Sequence, residues 1–137
     1  MPATYEFYSK HNLVVLSFSG AYTAVVALGI VERYLKDPKF RPTYELIIDF
    51  SDAEDSEVAY KEMQMVVDSI SPKLQHMERS LCVIIATTDL FYGVARMYQT
   101  LINDQLPYPI EVVRSAQKAL SRFDIDGDSL SVLGRPD

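Results

Sequence analysis

The chain has 137 residues, 48% of them hydrophobic and 23% charged, with a formal net charge of -6. That length and balance predict one folded domain with a substantial apolar core and exclude a generally disordered chain. The negative balance excludes a nucleic-acid or anionic-membrane surface, which demands clustered Lys and Arg.

No apolar run approaches the ~20 residues that span a bilayer. The opening Met1-Pro2-Ala3-Thr4-Tyr5-Glu6 lacks a basic patch followed by an apolar core, so no signal peptide is expected and a cytoplasmic location follows. Cys82 is the single cysteine. It lies in an apolar run and reads as a small core thiol rather than a nucleophile.

Residues 4–9 alternate around Tyr5 and Phe7, and 13–19 form a second strand with Val14, Leu16 and Phe18 on one face. Lys10, His11 and Asn12 join them as a hairpin turn in which Asn12 takes the left-handed conformation, leaving His11 solvated. Gly20 is expected to end the strand. Thr23 then caps a helix on which Ala27, Ile30, Val31, Tyr34 and Leu35 recur at helical spacing, until Asp37-Pro38 stops it.

Leu46, Ile47 and Ile48, flanked by Tyr44 and Phe50, suit a strand covered on both faces, as in a parallel sheet. It is expected to run into an acidic loop, with Ser56 capping a second helix. Ala59, Met63, Val66, Val67 and Ile70 form the apolar stripe of that helix, and Pro72 ends or kinks it. His76 in the connector reads as a surface residue.

Residues 81–86 form the next buried strand. Thr87, Thr88 or Asp89 caps a third helix that buries Phe91, Val94, Ala95, Tyr98, Leu101 and Ile102, while Tyr92, Arg96, Gln99 and Asn103 point the other way. A short strand at 110–113 leads to a last helix, capped by Ser115 and burying Ala116, Ala119, Leu120 and Phe123.

This order predicts an α/β fold: an N-terminal β-hairpin, then alternating helices and strands, giving a mostly parallel five-stranded sheet packed with about four helices. The domain is expected to cover 1–123. Residues 124–137 carry half of the net charge and read as a flexible acidic tail, with Leu130, Val132 and Leu133 available to dock on the domain or a neighbouring chain. The tail departs from a calcium loop, because Ser129 and Arg135 stand where glycine and a bidentate glutamate are required.

The carboxyl ends of the parallel strands bring Ser51, Asp52, Thr87, Thr88, Arg114 and Ser115 to one edge, the usual place for a site in such folds. Asp49, Asp52, Glu54, Asp55 and Glu57 oppose a phosphate there, and no glycine-rich turn approaches one, so no nucleotide or other cofactor is expected. A metal is not expected either, since the turn near Ser19 and Gly20 has no acidic pair and the last strand ends in Arg114. No nucleophile–base pairing is visible, so no catalytic residue is assigned.

Three pieces of sequence carry a family resemblance. They are the strand and loop at 46–51, the helix Phe91-Tyr92-Gly93-Val94-Ala95-Arg96-Met97-Tyr98, and Glu111-Val112-Val113-Arg114-Ser115 followed by Ala119-Leu120. Together they resemble stand-alone bacterial SpoIIAA-like proteins. Those share the fold of STAS (anti-sigma factor antagonist) domains and are also compared with CRAL-TRIO lipid-transfer domains. The resemblance places Asp55-Ser56 where true antagonists carry a phosphorylated serine at a helix start. Here Glu57 and Val58 replace the second serine and glycine of that pattern.

Two readings of function follow. A non-enzymatic regulatory or protein-interaction module would use Asp52, Asp55, Ser56 and the adjoining helix, with an exposed loop and no deep cavity. A small carrier of a lipid-like ligand would hold an apolar pocket between sheet and helices, lined by members of the set Tyr22, Phe91, Tyr92 and Tyr98. An enzyme using the edge carboxylates ranks behind both. Tyr92 and Arg96, one helical turn apart, would serve a partner surface or a homodimer contact, against the plainer reading of a solvated helix face.

Overall fold

The computed structural model describes residues 2–137. The amino-terminal alternation becomes β1 (Ala3–Tyr8) and β2 (Leu13–Tyr22), paired antiparallel. Asn12 closes their connection at φ 55° and ψ 43°, and its side-chain amide donates to the Thr43 carbonyl. Then come α1 (Ala24–Lys36), β3 (Glu45–Ser56), α2 (Tyr60–Leu74), β4 (Cys82–Ile85), α3 (Asp89–Ile102), β5 (Ile110–Val113) and α4 (Ala116–Ser121). Thr23, Thr88 and Ser115 each accept an amide of the first turn at 3.2 to 3.3 Å, so three of the four helix starts are fixed by their own hydroxyl caps.

The sheet order is β1-β2-β3-β4-β5, and every pairing after the hairpin is parallel. Helices α1, α2 and α3 cover one face, where Leu16, Phe18, Leu46, Phe50, Cys82 and Ile84 meet Ile30, Tyr34, Met63, Val67, Phe91 and Ala95. The other face is covered over part of its area, where Leu13, Val15, Ile47, Val83 and Ile85 pack on Ala119, Leu120 and Leu133.

Six expectations are corrected. Gly20 does not end β2; with φ +65° it sits at a register shift, and the strand continues to Tyr22. Opposite it, β3 runs through the acidic stretch to Ser56. The register advances from Asp49 to Asp52 against Ser17 to Ser19, and from Ala53 to Asp55 against Gly20 to Ala21, so β3 carries one extra residue at each step. The expected acidic loop is therefore bulged strand, held by pairing with β2 rather than by its own β propensity.

Ser56 does not cap α2. Its Oγ instead accepts the Val58 amide at 3.1 Å, and the helix begins at Tyr60, where the Glu62 carboxylate accepts the Ala59 amide at 3.0 Å. Ala59, expected in the apolar stripe, lies before the helix and is exposed.

Pro72 does not end α2, which continues to the buried Leu74. Its missing N–H costs the helix one backbone bond, and burial of Ile70 and Leu74 on either side holds the last turn in place.

Residues 124–137 do not form a free tail. Leu133 is buried among the residues on the second sheet face, the Asp137 amide donates to the Phe7 carbonyl at 2.8 Å, and the Asp137 carboxylate accepts from the Ser9 amide and hydroxyl. Apolar burial on a face that α4 alone leaves uncovered outweighs the segment's acidic composition.

Candidate functional site

The helix-covered face holds an apolar void of about 40 Å³. Leu16, Phe18 and Tyr22 of β2, Ile48 and Phe50 of β3, and Ile84 of β4 form its floor. Ala27 and Val31 of α1, Met63, Val66 and Ile70 of α2, and Val94, Ala95 and Tyr98 of α3 form its roof. The two small alanines explain the gap, because helices α1 and α3 present only a methyl where a larger side chain would meet the sheet.

Aromatic rings wall the void at the carboxyl end of the strands. Phe50 stacks on Phe18 at 5.1 Å and on Phe91 at 5.0 Å, and the edge of Tyr22 packs against Phe50 at 5.1 Å. Burial raises the pKa of Tyr22, so its phenol stays neutral. Tyr98 closes the roof toward the amino end, and burial likewise pushes its phenol well above the ordinary value.

One layer further toward the amino end sits Arg79, only 3% exposed in the connector between α2 and β4. Its guanidinium lies 5.4 Å over the Tyr108 ring, and Nη2 donates to the Met77 sulfur at 3.5 Å. Nε and Nη1 are buried without a hydrogen-bond partner among the described residues. The Tyr34 phenol stands beside the guanidinium as a hydrogen-bonding neighbour, and Tyr108 and Cys82 lie within electrostatic reach. Burial drives the Cys82 thiol up to about 12 against the opposing pull of Arg79, so it is neither nucleophile nor ligand at neutral pH.

The opposite edge is acidic. Asp52, Glu54, Asp55 and Glu57 are exposed, and Ser56 is half-buried. Tyr60 at 63% and Met65 at 50% exposure follow directly on α2. No group of three or more His, Cys, Asp or Glu side chains among the described residues is placed to hold a metal ion, and no helix there is long and apolar enough to cross a membrane.

No protein-family model matches the sequence, and no curated protein matches it. Among solved structures, the chain is similar to an uncharacterised protein of the DUF3478 family from Shewanella loihica PV-4, described as having a SpoIIAA-like fold. The TM-score is 0.50 over 81% of this chain and 83% of that one, at 14% identity. The fold is SpoIIAA-like. At that identity the likeness extends to architecture and no further.

Within this SpoIIAA-like fold the expected site residues fall into separate places. Asp52, Asp55 and Ser56 lie on the distal end of the bulged strand β3. Tyr92 is half-buried under Arg114, whose guanidinium sits 5.0 Å over its ring, and Arg96 is exposed beside Gln99, Thr100, Asn103 and Asp104. Of the aromatic set named for a pocket, Tyr22 and Tyr98 line the void and Phe91 stacks behind it. From sequence, Arg79 stands out only as the positive neighbour of Cys82, with no role of its own. The only signal for it was a basic residue placed three positions before the apolar strand core.

Proposed function

We propose that this domain is a small-ligand-binding module that takes a compact apolar group into the void between the sheet and α1, α2 and α3. The observation that carries the reading is the void itself: it lies at the centre of the larger core, where native packing ordinarily leaves no gap, and every lining contact is apolar except the rims of Tyr22 and Tyr98. About 40 Å³ is room for roughly three waters, yet an apolar cavity of this kind stays dry and favours carbon. The space suits a short aliphatic group or the end of a longer chain, and not a whole lipid.

Methyl-resolved NMR of the protein titrated with hexan-1-ol tests it. Shifts at Ile48, Ile84 and Val94, saturating with the ligand and abolished by Ala95→Val, are expected. Shifts scattered over surface methyls, or none at all, would overturn the reading.

A second reading rests on a separate observation. Exposed Tyr60 and Met65 adjoin the acidic end of β3, a combination suited to a partner protein that offers basic side chains around an apolar anchor, or to self-association through α2. Light scattering and partner capture with Tyr60→Ser and Asp55→Lys test it. Unchanged assembly state and unchanged capture count against it.

A further inference from the structure

The buried Arg79 has no account in the reading above. A guanidinium is charged at any accessible pH and presents five donors. Burying one without a counter-charge is costly, and natural proteins compensate it with a carboxylate or a bound anion. Arg79 takes part in none of the ion pairs of the described residues. Glu45, which lies within electrostatic reach of Cys82, is engaged by the Ser80 amide and hydroxyl at 2.8 and 2.9 Å. The groups facing the guanidinium are the phenols of Tyr34 and Tyr108 and the thiol of Cys82, all neutral at pH 7.

Position adds the second half of the argument. Ile84 of the void floor and Cys82 beside Arg79 are alternate residues on the same face of β4, about 7 Å apart along the strand. On α1, Val31 lines the void and Tyr34, one turn on, faces Arg79. Tyr98 borders both layers. A dry apolar space and an unpaired buried cation therefore occupy consecutive layers of one core. Arg79 stands on an irregular connector rather than in a helix or strand, so admitting a ligand does not require breaking the sheet.

We infer that the ligand of this module is a short- to medium-chain aliphatic carboxylate, with its head group on Nε and Nη1 of Arg79 and its chain directed into the void. This rests on the void as the binding site and adds the chemistry of the head group. The competing account is that Arg79 is purely structural, its charge offset by the C-terminal ends of α1, α2 and α3, which the topology brings to the same edge. Those ends supply partial negative charge but give Nε and Nη1 no acceptor.

Calorimetric titration of the purified protein with hexanoate and octanoate, against hexan-1-ol and octan-1-ol, separates the accounts. The carboxylates are expected to bind at least ten-fold more tightly than the matched alcohols and to shift the Arg79 Nε–H resonance. In Arg79→Met the preference should vanish while alcohol binding survives. If the variant fails to fold, the comparison in the wild-type protein and the Nε–H shift still decide. Equal affinity for acid and alcohol overturns the role of Arg79 and leaves the void reading standing. Binding of neither overturns both.

Discussion

The Arg114 guanidinium lies 5.0 Å over the centroid of the Tyr92 ring. The same side chain donates to Asp89 Oδ1 at 2.9 Å and to the Thr87 carbonyl at 3.3 Å, so it ties the end of β5 to the start of α3. A cation over an aromatic face at a partly exposed site is worth about 0.5–1 kcal/mol. A double-mutant cycle of Arg114→Ala and Tyr92→Leu, read by denaturant unfolding, is expected to return a coupling of that size. The corresponding cycle between Arg96 and Tyr92 should return a smaller value, because the cation over the ring is Arg114. An equal coupling for the second pair would mean that Arg114 is not the cation that holds the ring.

Ser56 offers a second case where local contact differs from sequence expectation. Its hydroxyl holds the Val58 amide rather than the first turn of α2. Ser56→Ala is therefore expected to cost about 1 kcal/mol, the worth of one partly buried hydrogen bond, without fraying the helix. Removing the bond from Glu62 to the Ala59 amide by Glu62→Ala should instead raise amide exchange across the first turn of α2. If Ser56→Ala and not Glu62→Ala loosens that turn, the assignment is wrong.

These contrasts show which kinds of signal were legible. The hairpin, the three hydroxyl-capped helices and the succession of elements along the chain follow from period, caps and turn residues that act within a few positions, as with Asn12, Thr23 and Thr88. The distal half of β3 was not legible, since Asp52, Glu54 and Asp55 are poor strand formers and are held extended by β2, a partner far away in sequence. The void was half legible: the aromatic residues around it could be named, but a gap depends on alanines at 27 and 95 meeting the same patch of sheet. Arg79 was illegible for a related reason. Burial of a charge in a connector is decided by three separate elements that close around it.

Acid sensitivity is set partly by Glu111 and Arg122. Arg122 Nε and Nη2 each donate to the Glu111 carboxylate at 2.6 Å, and this hydrogen bonding holds the Glu111 carboxyl below its ordinary value of 4.5. The folded-state pKa is the lower one, so the pair contributes stability above the unfolded value and loses it as pH falls through the folded value. Both side chains are substantially exposed, which keeps the effect small and salt-sensitive. The stability difference between wild type and Glu111→Gln should be constant above pH ~5 and shrink to nothing at lower pH. A difference that persists at pH 2 would mean that the substitution acts through packing.

The void makes a quantitative prediction about the empty protein. An apolar cavity costs about 24 cal/mol per Å³, so the 40 Å³ space corresponds to roughly 1 kcal/mol of unrealised stability. Ala95 is fully buried on its roof, and Ala95→Val places two further methyl groups there. The β-branched side chain costs about 0.5 kcal/mol of helix propensity in α3, which leaves a net gain of about 0.5 kcal/mol by chemical denaturation. The same substitution removes the ligand seat, so hexan-1-ol should stabilise the wild type and leave Ala95→Val unmoved. Destabilisation by 1 kcal/mol or more would mean that the space is too tight for carbon and that the roof is already closed on the sheet.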